Sequence, residues 1–143
     1  MKARTLYLIK RAEIEQTKRM TNALEQYGLT PIHYAIMYFV DYDEGDLSTA
    51  QLSRRFSMTP QSMSEFVAIL GRKKLLKKTT DPSHKRIFHI ALTTKGKKIL
   101  ETCNRQLDTV EKKFLKKLSA REIETMRKLI GKILEGSRES NGQ

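Results

Sequence analysis

Ser48-Thr49-Ala50-Gln51-Leu52-Ser53-Arg54-Arg55-Phe56-Ser57-Met58-Thr59-Pro60-Gln61-Ser62-Met63-Ser64-Glu65-Phe66-Val67-Ala68-Ile69-Leu70-Gly71-Arg72 is the stretch on which the fold turns. Ser48 followed three residues later by Gln51 has the spacing of a capping box, which opens a short helix carrying Leu52 and Phe56 inward. That helix ends at Ser57-Met58, and Thr59-Pro60 starts another with a hydroxyl cap and a proline at the first helical position. Met63, Phe66, Val67 and Leu70 then fall at i, i+3, i+4 and i+7, the stripe of an amphipathic helix. Two short helices joined by so few residues make a helix-turn-helix, whose second member enters the DNA major groove. At about 100° per residue the stripe leaves Gln61, Glu65, Ala68 and Arg72 facing the other way. Gln61 can bond bidentately to adenine, Glu65 can accept from the cytosine amine, and the Ala68 methyl can touch that of thymine. Ser62 and Ser64 flank this side and suit a base edge or a phosphate.

Downstream the period changes. Leu75–Thr80 and Ile87–Leu92 are β-prone segments around the turn-rich Asp81-Pro82-Ser83-His84-Lys85-Arg86, so a wing of two strands is expected. Thr93-Thr94 can cap a long helix in which Leu100, Cys103, Leu107, Val110, Phe114 and Leu118 form a narrow stripe resembling a helix-pairing seam. Ser119 and Glu122 make a further capping box, opening a last helix with Ile123, Met126, Ile130 and Ile133, and the tail beyond Gly136 reads as frayed. Upstream, residues 4 to 27 are expected to be helical and to stop at Gly28. Thr30-Pro31 starts a buried helix through Ile36, Met37, Phe39 and Val40, and Asp41 to Asp46 reads as a loop. The seven glycines are expected at turns and helix ends.

Charge agrees with this layout. Twenty-eight Lys and Arg oppose sixteen Asp and Glu, a formal +12, and residues 71–98 alone carry ten basic residues against Asp81. A solvated face normally mixes signs, so this run reads as the footprint of a polyanion. Arg54, Arg55, Thr59, Arg72, Lys73, Lys74, Lys77 and Lys78 are the candidates for phosphate contact, with His84, Lys85 and Arg86 at the wing, Lys85 and Arg86 toward an adjacent minor groove. A single reader spans too few base pairs for useful specificity, so a homodimer is expected. Its seams would be built from Leu6, Ile9, Phe114, Leu118, Ile123, Met126, Ile130 and Ile133.

Other classes find little support. The three histidines lie on different elements with no metal-ligand spacing near them, and neither a nucleophile elbow, a phosphate-cradling glycine loop nor paired carboxylates occur. No catalytic residue, metal or cofactor is therefore expected. The longest apolar run, Ala35–Val40, is far too short to span a membrane, and Thr5–Ile9 is too short for a signal-peptide core. One cysteine, Cys103, fits a reducing, cytoplasmic setting. The competing reading is a winged helix used as a protein-interaction module, its basic face meeting an acidic partner.

Leu29-Thr30-Pro31, Ser48 to Leu52, the helix from Thr59 to Lys73, Leu75-Leu76, Asp81-Pro82, Arg86 and Leu92-Thr93-Thr94-Lys95-Gly96 resemble, in order and spacing, the pattern of the MarR family over roughly residues 5 to 135. The resemblance implies a mainly α protomer with a small β wing. Its winged helix-turn-helix would occupy residues 30–96, with dimerisation helices in 1–28 and 97–136. It implies a transcriptional regulator, commonly a repressor, that binds a pseudo-palindromic operator in double-stranded DNA and in some members releases it to small phenolic or lipophilic effectors. The wing departs from the usual form, with Ser83 and His84 where Arg and Asp are common. Some relatives sense peroxide through cysteine, but the place of Cys103 in the apolar stripe favours a core role.

Overall fold

Every helix start expected from a hydroxyl residue is a side-chain cap in the computed structural model, which describes residues 2–81, 83–84 and 86–140. The order is α1 (Thr5–Leu24), a 3-10 turn (Glu25–Tyr27), α2 (Pro31–Tyr42), β1 (Leu47–Ser48), α3 (Thr49–Arg55), α4 (Pro60–Arg72), β2 (Leu76–Thr80), β3 (Phe88–Leu92), α5 (Thr94–Phe114) and α6 (Ala120–Ser140). Thr30, Ser48 and Thr59 accept from the backbone N–H three residues on. Thr93 and Ser119 do the same for Gly96 and Glu122. The chain divides into two compact units, Met1–Asp108 and Thr109–Gln143.

The first unit holds the core. Leu24, Leu29, Ile36, Met37, Val40, Leu52, Met63, Val67, Leu70, Leu75, Leu76, Ile90, Leu92, Leu100 and Cys103 form one buried cluster, so α1, α2, α3, α4, the sheet and the start of α5 share a single interior. The wing hairpin pairs β2 and β3 antiparallel from Leu76 opposite Leu92 to Thr80 opposite Phe88. A third strand, β1, pairs with the other edge of β3, giving the order β1-β3-β2. Among the described residues no helix is long and apolar enough to cross a membrane.

Several expectations need correcting. The loop expected at Asp41–Asp46 begins two residues late, because α2 continues through Tyr42, and its end carries the two-residue strand β1. Four helix ends close by one device, a residue in the left-handed region whose successor donates back across the last turn: Gly28, Glu44, Ser57 and Lys74 have φ of 66°, 54°, 51° and 60°. Leu29, Gly45, Met58 and Leu75 donate to the carbonyls of Leu24, Val40, Ser53 and Leu70. Glycine, the usual occupant, stands at only one of the four. Gly131 and Gly136 lie inside α6, which runs on to Ser140, so they mark no end. The α5 stripe is not one seam: Leu100 and Cys103 belong to the protomer core, α5 stops at Phe114, and Leu118 lies beyond it.

His33 has a role that no glutamate-seeking rule finds. Its Nδ1 accepts from the Thr30 amide at 3.2 Å, completing the capping box of α2, and its ring meets Phe66 of α4 edge-on at 5.7 Å. Accepting at Nδ1 requires the neutral ring, and its pKa is lowered from 6.5, first by burial and then by the charge of Lys73. The unfolded chain therefore takes up this proton before the folded one does. Stability held above the ordinary histidine range is lost as pH falls through it toward the folded value. Thermal midpoints between pH 7.5 and 5.5 should decline less for His33→Gln, which keeps an acceptor at that position, than for the unmutated protein.

Candidate nucleic-acid interface

One side of α4 is spent on the core: Met63, Val67 and Leu70 are buried and Phe66 packs against them. The opposite side is free of the body, with Gln61, Ser64, Glu65, Ala68 and Arg72 exposed. Ser62 is half-buried at the cap. Its amide donates to Thr59 Oγ1 at 3.1 Å, and the two hydroxyls lie 3.0 Å apart, so Thr59 and Ser62 fix the first turn.

The wing root stands beside this face. Thr49, Ser64, Val67, Ala68, Gly71, Leu76, Lys77 and Lys78 line one cleft of about 260 Å3, which brings two of the expected reading residues, Ser64 and Ala68, together with two of the expected phosphate-binding lysines. The junction is held by Thr93, whose hydroxyl donates to the carbonyl of Lys74 at 2.6 Å while its amide donates to that of Leu75 at 3.1 Å. Lys95 Nζ donates to the Lys73 carbonyl at 3.2 Å. The end of α4, the start of β2 and the start of α5 are thereby tied at one point.

Arg54, Lys73, Lys74, His84 and Arg86 are exposed, and the Lys73 ammonium lies over Gly28, about 3.4 Å from where a Cβ would stand. Arg55 is exposed as well, but its side chain lies along α2, with Nη1 3.0 Å from Asp43 Oδ2 and its guanidinium carbon 4.9 Å from the centre of the Phe39 ring. Lys85 and Pro82 lie outside the described residues. At the wing turn Asp81 Oδ1 accepts from the Ser83 amide at 2.7 Å and Oδ2 lies 3.4 Å from His89 Nε2. The Ser83 hydrogen bond, aided by both histidines, lowers the Asp81 pKa. The turn expected at Asp81–Arg86 thus has an anchor that the sequence reading did not assign, the Asp81 carboxylate bonded to the Ser83 amide.

Of the expected dimerisation residues, Leu6 and Ile9 are exposed on α1, and Leu118, Ile130 and Ile133 are exposed in the second unit. Phe114, Ile123 and Met126 are half-buried within that unit. Cys103 is buried in the core, and burial raises the pKa of its thiol.

Lys74 holds a left-handed conformation that costs a side-chain-bearing residue about 1 kcal/mol or more and glycine almost nothing. Lys74→Gly is therefore expected to stabilise the fold by about 0.5–1 kcal/mol. If Lys74 holds a phosphate, the same change should also weaken duplex binding and reduce the slope of log K against log salt by about 0.9, the mark of one lost phosphate contact. Urea unfolding and a salt titration read the two effects separately.

A helix-turn-helix whose second helix exposes a polar side, flanked by a three-stranded sheet whose β2–β3 hairpin has a basic root, defines a winged-helix protein. The MarR family profile matches residues 27–87. An HTH-type transcriptional regulator of Bacillus subtilis strain 168, YhbI, is 26% identical over 131 residues, 90% of this chain and 84% of its own. The transcriptional regulator HosA of Escherichia coli O111:H- is 30% identical over 106 residues, 74% of this chain and 78% of its own. Staphylococcus aureus MepR, in a structure solved with DNA, superposes with a TM-score of 0.80 at 25% identity, covering 93% of this chain and 96% of that one. The chain belongs to the MarR family, whose members are transcriptional regulators and not enzymes.

Proposed function

We propose that this protein reads a specific double-stranded DNA sequence as a homodimer and regulates transcription, most simply as a cytoplasmic repressor on a pseudo-palindromic operator. The observation that carries the reading is the two-sided character of α4. Its apolar side is buried while Gln61, Ser64, Glu65 and Ala68 are free to meet base edges, and Ser64 and Ala68 share a cleft with Lys77 and Lys78. Neutral and acidic groups would read bases, and Arg54, Arg72, Lys74, Lys77, Lys78 and Arg86 would hold phosphates and fix register. In this division residues 30–96 do the reading, and residues 1–28 and 97–136 hold two protomers together. A twofold dimer places its two readers about one helical turn of DNA apart, which is why the operator should be pseudo-palindromic. A MepR structure with DNA and the description of HosA as a transcriptional regulator support the assignment. Release by a small phenolic or lipophilic effector belongs to the same proposal.

The test is to select bound duplexes from a random pool and to measure the winner against a scrambled duplex over a range of salt. The expected result is one inverted repeat, bound about 10³-fold or more above the scrambled duplex, with a steep salt slope. A protein that ignores every duplex at low ionic strength would end the assignment.

A further inference from the structure

Arg55 and Arg54 are neighbours in the last turn of α3, yet the structure treats them differently. Arg54 is exposed. Arg55 reaches back over α2, where Phe39 and Asp43 stand one turn apart. Its Nη1 lies 3.0 Å from Asp43 Oδ2, with the two side chains 34% and 26% exposed, and its guanidinium covers the Phe39 ring at 4.9 Å. The next residue, Phe56, meets the same ring edge-on at 5.5 Å and 82°. The last residue of α3 and its C-cap therefore grip one aromatic ring of α2.

Asp43 Oδ2 is closed to solvent and accepts no hydrogen bond. The Arg55 charge is what compensates it. For Arg55 to reach a phosphate it would have to uncover Phe39 and leave a buried carboxylate oxygen unpaired, a costly exchange for one exposed phosphate contact. Arginine suits this place because a planar guanidinium can stack and pair at once, which lysine cannot do.

The position of the grip gives it a use. Helix α2 is the platform of the reading unit: near its N-terminus His33 meets Phe66 of α4, and at its C-terminus Phe39 and Asp43 hold the end of α3. Only Ser57, in the left-handed region, with Met58 and Thr59 separates the gripped end of α3 from α4. A roll of α3 on α2 would carry the first turn of α4, and Gln61 with it, out of register with base edges.

We propose that Arg55 is a positioning residue for DNA reading, which fixes the helix-turn-helix on α2 through Asp43 and Phe39 and contacts no phosphate. The inference rests on α4 being the DNA reader, and the two can fail separately. If the unmutated protein does not distinguish its selected duplex from a scrambled one, the reading itself fails before any substitution is made.

Given that discrimination, the affinities of the selected and scrambled duplexes are measured across salt for Arg55→Met, Asp43→Asn and, as a comparator, Arg54→Met. Positioning predicts that Arg55→Met lowers the ratio of the two affinities about tenfold, the size of one misplaced base contact, with the salt slope unchanged. Asp43→Asn, a milder change that leaves the Arg55 charge in place, should lower the ratio in the same way. Arg54→Met should instead reduce the slope by about 0.9 and leave the ratio alone. A slope reduced by about 0.9 in Arg55→Met, an unchanged ratio in either latch variant, or tighter binding of both duplexes by Asp43→Asn would overturn the inference, the last because it would reveal an arginine released toward phosphate.

Discussion

Gly96→Ala is expected to lower stability by about 3 kcal/mol or more, a large loss for a domain of this size. The glycine sits in the first turn of α5, where its amide donates to the capping hydroxyl of Thr93. A Cβ built there would stand 2.1 Å from the Leu75 carbonyl oxygen and 3.0 Å from its carbon. The obstacle is backbone and cannot swing aside. That same carbonyl accepts from the Thr93 amide, so making room would loosen the one point where α4, β2 and α5 are tied. Leu75, Leu76, Leu92 and Leu100 all enter the core within a few residues of it. A urea unfolding curve should show the midpoint displaced with its slope preserved. Gly131→Ala supplies the contrast, since nothing lies within 4 Å of a Cβ there and alanine gains up to about 1 kcal/mol of helix propensity. Equal stability of Gly96→Ala and the unmutated protein would refute the close approach.

Gly96 also illustrates what a single sequence conceals. Helix starts are legible because the acceptor is local: Thr30, Ser48, Thr59, Thr93 and Ser119 each announce a cap three residues ahead of the amide they satisfy. Helix ends are not, because the left-handed closing residue is glycine only at Gly28, while Glu44, Ser57 and Lys74 accept the same conformation at a cost. Strand β1 has two residues, too few for any period, and exists only because Leu47 and Ser48 meet Ile90 and His89 some forty residues on. A glycine required for close approach looks in sequence like one that marks a turn.

The site divides along the same line. The reading side of α4 follows from periodicity, which places Gln61, Glu65 and Ala68 opposite the buried stripe, and all three are exposed. The fate of each cation does not follow, because charge reports where a side chain is attached and not where it goes. Arg54 and Arg55 are indistinguishable until the partner of Arg55 on α2 is known. Nor can a stripe of alternating threes and fours say which apolar residues fill the protomer: Leu100 and Cys103 do, while Ile130 and Ile133 of the second unit remain uncovered.

Those uncovered residues carry the second large effect, expected for Ile130→Glu combined with Ile133→Glu. Helix α6 exposes Leu129, Ile130, Ile133 and Leu134, each about half accessible, and α1 exposes Leu6, Tyr7, Leu8 and Ile9. Apolar side chains grouped in this way on an otherwise highly charged chain mark surfaces that another molecule covers. If a second copy covers them, the unmutated protein should have a solution mass of twice 16.6 kDa, and the double variant should approach the single value. The folding of the first unit should be little affected, because its core, from Leu24 to Cys103, contains no residue of α6. DNA binding, in contrast, should suffer heavily. Two readers in one dimer would make the second half-site encounter intramolecular, and its loss would lower affinity for the full operator by about 10³-fold. The affinity of a single half-site should barely change. A double variant that keeps the dimer mass, or one that becomes monomeric yet binds the full operator as before, would show that the apolar faces of α1 and α6 serve something other than pairing two readers.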